Sequence, residues 1–213
     1  MDNLTSALIF LIFLCFFALI FGFLAMFGFV VFKHRGRERR SLDSVLLEVA
    51  VPRDNEIKID AAEQMFAALY SIRKSGWQQK FTVQATISFE VVARHEDIRF
   101  YVWCPKRLQD LIEKQIHGAF PDAQINAVPE HNIFREEGKV AYSGLQLRTA
   151  NFYPIKTFKD LPTDPLSSLT SSLAKMGPDE GACVQIIVSP ADNVWKSGGK
   201  FYLSKTKKEE SDP

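Results

Sequence analysis

Side chains able to do chemistry are sparse and scattered in this 213-residue chain. Its histidines are His34, His95, His117 and His131, and no two stand in a His-x-x-x-His spacing. The cysteines, Cys15, Cys104 and Cys183, form no Cys-x-x-Cys pair. Short metal-binding motifs place ligands in such close pairs, so no metal site is expected. Neither Gly-x-x-x-x-Gly-Lys-Ser/Thr nor Gly-x-Gly-x-x-Gly is present, so no phosphate cradle and no cofactor is expected. Ser167, Ser168, Ser171 and Ser172 fall between the leucines of one helical stripe, where a solvated face accounts for them. A serine nucleophile needs a positioned base, and nothing in the pattern supplies one. The chain is therefore expected not to be an enzyme, and its unpaired cysteines suit a reducing compartment.

A different chemistry is suggested by Arg99, Tyr101 and Trp103, which alternate with Ile98, Phe100 and Val102 along one run. Strand side chains point alternately to opposite faces. If the apolar set faces a core, the Arg-Tyr-Trp set lines the other side. Such a strip either packs against protein or stacks unpaired bases, as RNA-recognition sheets do. The corresponding face of the first strand offers Leu46, Glu48 and Ala50 and no aromatic, and the glycine-containing RNA-binding octamer is absent. The net charge of +1 also lacks the basic excess of a nucleic-acid binder. Protein contact is the first expectation for Arg99, Tyr101 and Trp103, and single-stranded nucleic acid is the alternative.

The elements that must position this strip follow from hydrophobic periodicity. Val45, Leu47, Val49 and Val51 alternate as a strand that Pro52 closes. A helix is expected from Asp60, where Glu63 three residues on makes a capping-box-like start, to a stop at Gly76. Phe81, Val83, Ala85, Ile87, Phe89 and Val91 alternate with Thr, Gln, Ser and Glu, and the run returns through the tip RHED to Ile98–Val102 as a hairpin. Pro105 opens a helix with Leu108, Leu111, Ile112, Ile116 and Ala119 on one stripe, and PDAQINAV ends the unit as a short strand. The order βαββαβ predicts an α+β, ferredoxin-like sandwich, four strands carrying both helices on one face. Beyond it, YSGLQLRTANFYPIKTF reads as a strand, DPLSSLTSSLAKMG as a helix and GACVQIIVSP as another strand, a partial second β-α-β lobe.

The N-terminus belongs to a different environment. From Ala7 to Phe32 no residue is charged, and these 26 residues rise roughly 39 Å as a helix, more than the roughly 30 Å of bilayer hydrocarbon. The start MDNLTS lacks the basic residues of a secretory signal, so an uncleaved anchor is expected. Lys33, Arg35, Arg37, Arg39 and Arg40 follow against the single Glu38. Basic flanks stay on the cytoplasmic side and contact anionic headgroups, which predicts a single-pass inner-membrane protein with its N-terminus outside. Ala18 and Gly22 make a small-xxx-small pair for a second helix, a weaker expectation of a homo-oligomer than plain lipid exposure. The expected organisation is an outer N-terminus at 1–6, a membrane helix at 7–32, a basic linker at 33–43 and the ferredoxin-like domain at 44–130. The partial lobe at 139–195 and a polar, flexible tail at 196–213 complete it.

The phrases PRDNE, AAEQMFAAL, IRFYVWCPK and QIHGAFPDAQI, within residues 46–72 and 87–125, resemble the N-terminal membrane-proximal region of type IV secretion or conjugation-type ATPases. These are ATPases of the FtsK/HerA class, as found in candidate-phyla bacteria. Together with DPLSSLTSSLAKMGPDEGACVQIIVSP, which is similar more loosely, the similar stretches cover a little under half of the chain. The resemblance implies a membrane-anchored adaptor region of a hexameric pump for DNA or protein, with a secretion-type ATPase as partner. It carries no catalytic residue to any position here, because the nucleotide-binding motifs of the motor are not among the matching phrases.

Overall fold

The computed structural model describes residues 2–35, 42–74, 76, 82–164 and 166–211. They fall into two compact units, Met1–Asp43 with Lys74–Ala85 and Ser44–Arg73 with Thr86–Pro213.

In the first unit, α1 (Asp2–His34) is a 33-residue helix. It is apolar on every side, and its large side chains from Leu4 to Phe32 are exposed. A helix that is apolar all round and carries no protein cover is long and apolar enough to cross a membrane. Lys33 and His34 lie in its last turn, where the C-terminal end of the helix dipole favours positive charge. Elsewhere in this unit Lys74 gathers the strand expected to begin at Phe81. Its backbone N–H donates to Gln84 Oε1 (2.9 Å), and Gln84 Nε2 donates back to the Lys74 carbonyl (2.9 Å). Lys74 Nζ donates to Thr82 Oγ1 and to the Val83 carbonyl. These bonds hold 82–84 as an irregular loop.

The second unit contains β1 (Ser44–Ala50), α2 (Asp60–Ala68), β2 (Ile87–Arg94), β3 (Asp97–Pro105), α3 (Gln109–Ala119), β4 (Gln124–Val128), α4 (Ser167–Leu173), β5 (Gly181–Val188) and α5 (Val194–Ser211). The five strands form one antiparallel sheet in the order β4-β1-β3-β2-β5. The architecture is α+β, as the periodicity predicts. β2 starts at Ile87, which faces Val188, the last residue of β5; its pairing with β3 begins one residue later, at Ser88 opposite Trp103.

Register decides the faces, since directly opposed residues share a side. Val45, Leu47 and Val49 of β1 face Cys104, Val102 and Phe100 of β3, and Phe89 and Val91 of β2 lie on that same side. The helices cover it. Phe66 of α2 meets Phe89 edge-on with ring centres 5.0 Å apart, and Ile112 and Ile116 of α3 are buried. Leu47 and Cys104 are wholly buried. The expected capping box is not formed. Asp60 is already the first helical residue, the preceding Ile59 gives no side-chain cap, and Asp60 and Glu63 instead pair with Lys159 at 3.6 and 3.3 Å.

Two expectations about the C-terminal part are revised by the topology. Gly181–Val188, assigned from sequence to a separate lobe, is the edge strand of the same sheet, pairing with β2 along its whole length. The stretch 142–158, expected as a strand, makes no ladder. A turn in which Tyr153 N–H donates to the Ala150 carbonyl interrupts it, Pro154 offers no N–H, and Tyr142 and Leu145 are fully exposed. The expected flexible tail is α5. Phe152 packs against its two glycines: a Cβ at Gly198 would stand 3.2 Å from the ring, a tight fit, and one at Gly199 would make an ordinary contact at 3.4 Å. Tyr202 closes the cluster against Phe152 and Tyr153.

Candidate functional site

The side of the sheet away from α2 and α3 carries the residues singled out for binding. Arg99, Tyr101 and Trp103 follow one another on this face of β3, as their alternation predicts, beside Leu46 and Glu48 of β1 and Ser88, Glu90 and Val92 of β2. β5 adds Cys183, Gln185 and Ile187. The three predicted residues have different surroundings. Arg99 donates through Nε to Asp97 (2.8 Å) and through a terminal nitrogen to Glu48 (3.3 Å). These carboxylates, Asp97 first, raise its pKa. Trp103 is half-buried at the rim of a cleft of about 240 Å³ lined by Thr86, Ser88, Glu90, Gln185 and Ile187.

Tyr101 is buried, and the chain itself covers it. After β4 the segment 129–134 returns across the sheet, so that the ring of His131 stacks on Tyr101 with centres 4.9 Å apart and planes 28° from parallel. Ile133 packs on the cluster of Leu46, Val92 and Tyr101 together with Trp103, Val128 and Cys183. The segment passes close to β5 at Gly181, where a Cβ would stand a tight 3.3 Å from both the Cβ and the carbonyl oxygen of Ile133. The face of Tyr101 on which a base would stack is occupied by the imidazole.

Beneath this cover lies a polar group that sequence reasoning missed. Glu90, on β2 between β3 and β5, is only 6% exposed. Gln185 Nε2 donates to its Oε1 at 3.0 Å, and His131 Nε2 lies 3.6 Å from its Oε2. Cys183 completes the group: one donor atom from each of Glu90, His131 and Cys183 lies within 4.8 Å of the other two. Burial, and after it the Glu90 carboxylate, pushes the Cys183 thiol up to about 11, so in this state it is a protonated thiol rather than a nucleophile. Among the described residues, the Nδ1 atom of His131 and the Oγ of Ser88 are buried without a protein hydrogen-bond partner. The arrangement suits holding a ligand or an ion more than attacking a substrate.

The predicted membrane-surface residues Lys33 and Arg35 lie at the end of α1, while Arg37, Arg39 and Arg40 lie outside the described residues. The reason Glu90 escaped the sequence reading is physical. Thr86, Ser88 and Glu90 form the polar half of an alternating strand, which suggests a solvated face; the return of 129–134 buries it. The one available signal was β5, where CVQIIV offers apolar residues to both faces, as strands covered on both sides do.

No curated protein and no solved structure is significantly similar to the chain. Residues 37–211, which include the whole sheet and every residue of this site, match a domain of unknown function, DUF8128. The chain belongs to the DUF8128 family.

Proposed function

We propose that this protein is a membrane-anchored adaptor, a single-pass module with a cytoplasmic ferredoxin-like domain that docks a secretion-type or DNA-translocating ATPase through protein contacts. The observation that carries the reading is α1, uncharged from Ala7 to Phe32 with its large side chains exposed, ending in Lys33 and His34 and followed by Arg35. Such a helix is stable in lipid, and the basic flank favours the cytoplasmic side for everything that follows. Support for the ferredoxin-like assignment comes from the inner order β4-β1-β3-β2, with α2 after β1 and α3 after β3. That order is consistent with a split arrangement of two interleaved β-α-β units, with β5 as a fifth strand. The resemblance of residues 46–72 and 87–125 to the membrane-proximal region of FtsK/HerA-class ATPases supplies the class of partner.

An adaptor needs surface that its own core does not use. Ile186 and Ile187 on the edge strand, 58% and 65% exposed, and Phe100 on β3 supply apolar surface of this kind. Base stacking on the sheet is the weaker reading, since His131 already occupies the face of Tyr101. The test is purification of the tagged full-length chain from its native membrane in mild detergent, with co-eluting proteins identified by mass spectrometry. Recovery of a motor ATPase at a constant ratio to the chain is expected. A monodisperse single chain without stable company, or release from membranes by alkaline carbonate, would overturn the proposal.

A further inference from the structure

We propose that Glu90, His131 and Cys183 are the protein ligands of a zinc-type transition-metal site that fastens the 129–134 segment and β5 onto the sheet. Thiolate sulfur, imidazole nitrogen and carboxylate oxygen are the donors zinc takes, whereas magnesium and calcium select oxygen alone. The inference is independent of the adaptor reading, and it stands on geometry.

The three residues come from β2, from the return segment and from β5, yet their donor atoms already lie within 4.8 Å of one another. The Glu90 to His131 separation of 3.6 Å is too long for a good hydrogen bond. It is close to what a shared ion requires: bonds of 2.0 to 2.3 Å at tetrahedral angles put neighbouring ligand atoms about 3.3 to 3.6 Å apart. The supporting shell is also in place. Gln185 holds Oε1 of Glu90 and leaves Oε2 turned toward His131. The Tyr101 ring fixes the plane of the imidazole. Such outer partners orient metal ligands and are part of a working site. A hydrogen-bonded cluster without an ion would leave the 3.6 Å gap between Glu90 and His131 unbridged. Entry is available from a cleft whose walls include His131, Cys183 and Gln185, and water from that side completes a tetrahedron built on three protein ligands.

Binding is a metal-for-proton exchange. The Cys183 S–H proton leaves to solvent as the sulfur takes the cation, the imidazole binds as its neutral form, and no oxidant or reductant takes part. The structural consequence is a clasp. Of the segments it joins, 129–134 has no strand pairing and β5 pairs on one side only.

The test uses the full-length chain in detergent, stripped with EDTA and titrated with cobalt(II) chloride alone, then with zinc(II) chloride. Cobalt is expected to give tetrahedral ligand-field bands and a near-ultraviolet thiolate-to-cobalt band, both saturating at one ion per chain and erased by equimolar zinc. Cys183→Ser should remove the thiolate band, Cys104→Ser should retain it, and His131→Ala or Glu90→Gln should weaken cobalt binding at least about tenfold. A second measurement needs no variant: zinc should slow iodoacetamide alkylation of Cys183 at least about tenfold, read by peptide mass spectrometry. Absence of the thiolate band in the unaltered protein, an undiminished band in Cys183→Ser, or equal alkylation of Cys183 with and without zinc would each overturn the proposal.

Discussion

Truncating His131 to Ala should destabilise the metal-free domain by about 3 kcal/mol, and most of that loss should disappear once Glu90 is made neutral. Glu90 is 6% exposed, and its carboxylate has two neighbours, Gln185 at 3.0 Å and His131 at 3.6 Å. Leaving one side of a buried carboxylate without its polar neighbour costs about 1–3 kcal/mol, about 2 here because Gln185 still serves Oε1. About 1 kcal/mol of the total is the ring contact with Tyr101. In a Glu90→Gln background the carboxamide leaves no stranded charge, so the same truncation should cost only that contact, about 1 kcal/mol. The coupling between the two positions is therefore about 2 kcal/mol, well beyond the additivity of independent sites. The assay is urea unfolding of the four full-length proteins at pH 7 with excess EDTA, followed by tryptophan fluorescence, because Trp103 packs on this cluster. A common slope in urea shows that the denatured states match. Coupling below about 0.5 kcal/mol would refute the reasoning, since it would mean that the imidazole does nothing for the carboxylate.

The opposite face gives a simpler expectation: Leu47→Ala, at a wholly buried position of β1 between β3 and β4, should cost about 3–4 kcal/mol in urea unfolding. Phe100→Ala, half-exposed on the same face, should cost less than about 1.5 kcal/mol, and equal losses would contradict the burial. The thiols set a pH window. Burial first, then Glu113 for Cys104 and Glu90 for Cys183, push both up to about 11. An unfolded thiol titrates near about 8.5, so between these values the folded chain binds more protons than the unfolded one. Their contribution is complete below about 8.5 and is lost as pH rises through about 11. Stability should fall over that interval more steeply than in a Cys104→Ala/Cys183→Ala variant, and parallel pH profiles would refute the claim.

Local rules made the inner part of the fold legible. Alternation in β1, the RHED turn between β2 and β3, and the 3.6-residue stripe of α3 each act within a few residues, and the structure has these elements close to their expected places. Where a longer-range partner decides, local pattern misleads. Phe81–Val91 alternates without a break, but a strand exists only where a neighbour takes its hydrogen bonds, and the pairing of β2 ends at Ser88 with β3 and at Ile87 with β5. GACVQIIV has strand character in isolation, and nothing local states whether it starts a new sheet or closes an old one. Its two-sided apolar character is explained by the sheet edge it occupies, with Cys183 beneath the return segment and Val184 on the helix side. α5 runs across two glycines against which Phe152, more than forty residues upstream, packs, a contact that no local pattern announces.

The candidate site follows the same logic in stronger form. Metal-ligand spacing is readable when one turn or one helix supplies a pair of ligands, because the spacing then reflects local geometry. Glu90, His131 and Cys183 are separated by 41 and 52 positions, and each by itself fits an ordinary description: a polar strand residue, a loop histidine, a lone cysteine. They become one group because β2 and β5 are neighbours in register and because 129–134 turns back over both. Tyr101 and Trp103 led to the expectation from sequence that this face of the sheet meets protein, with single-stranded nucleic acid as the alternative. The covering segment is the chain's own, and the residue it brings, His131, turns a face read as a docking surface into the wall of a buried polar site.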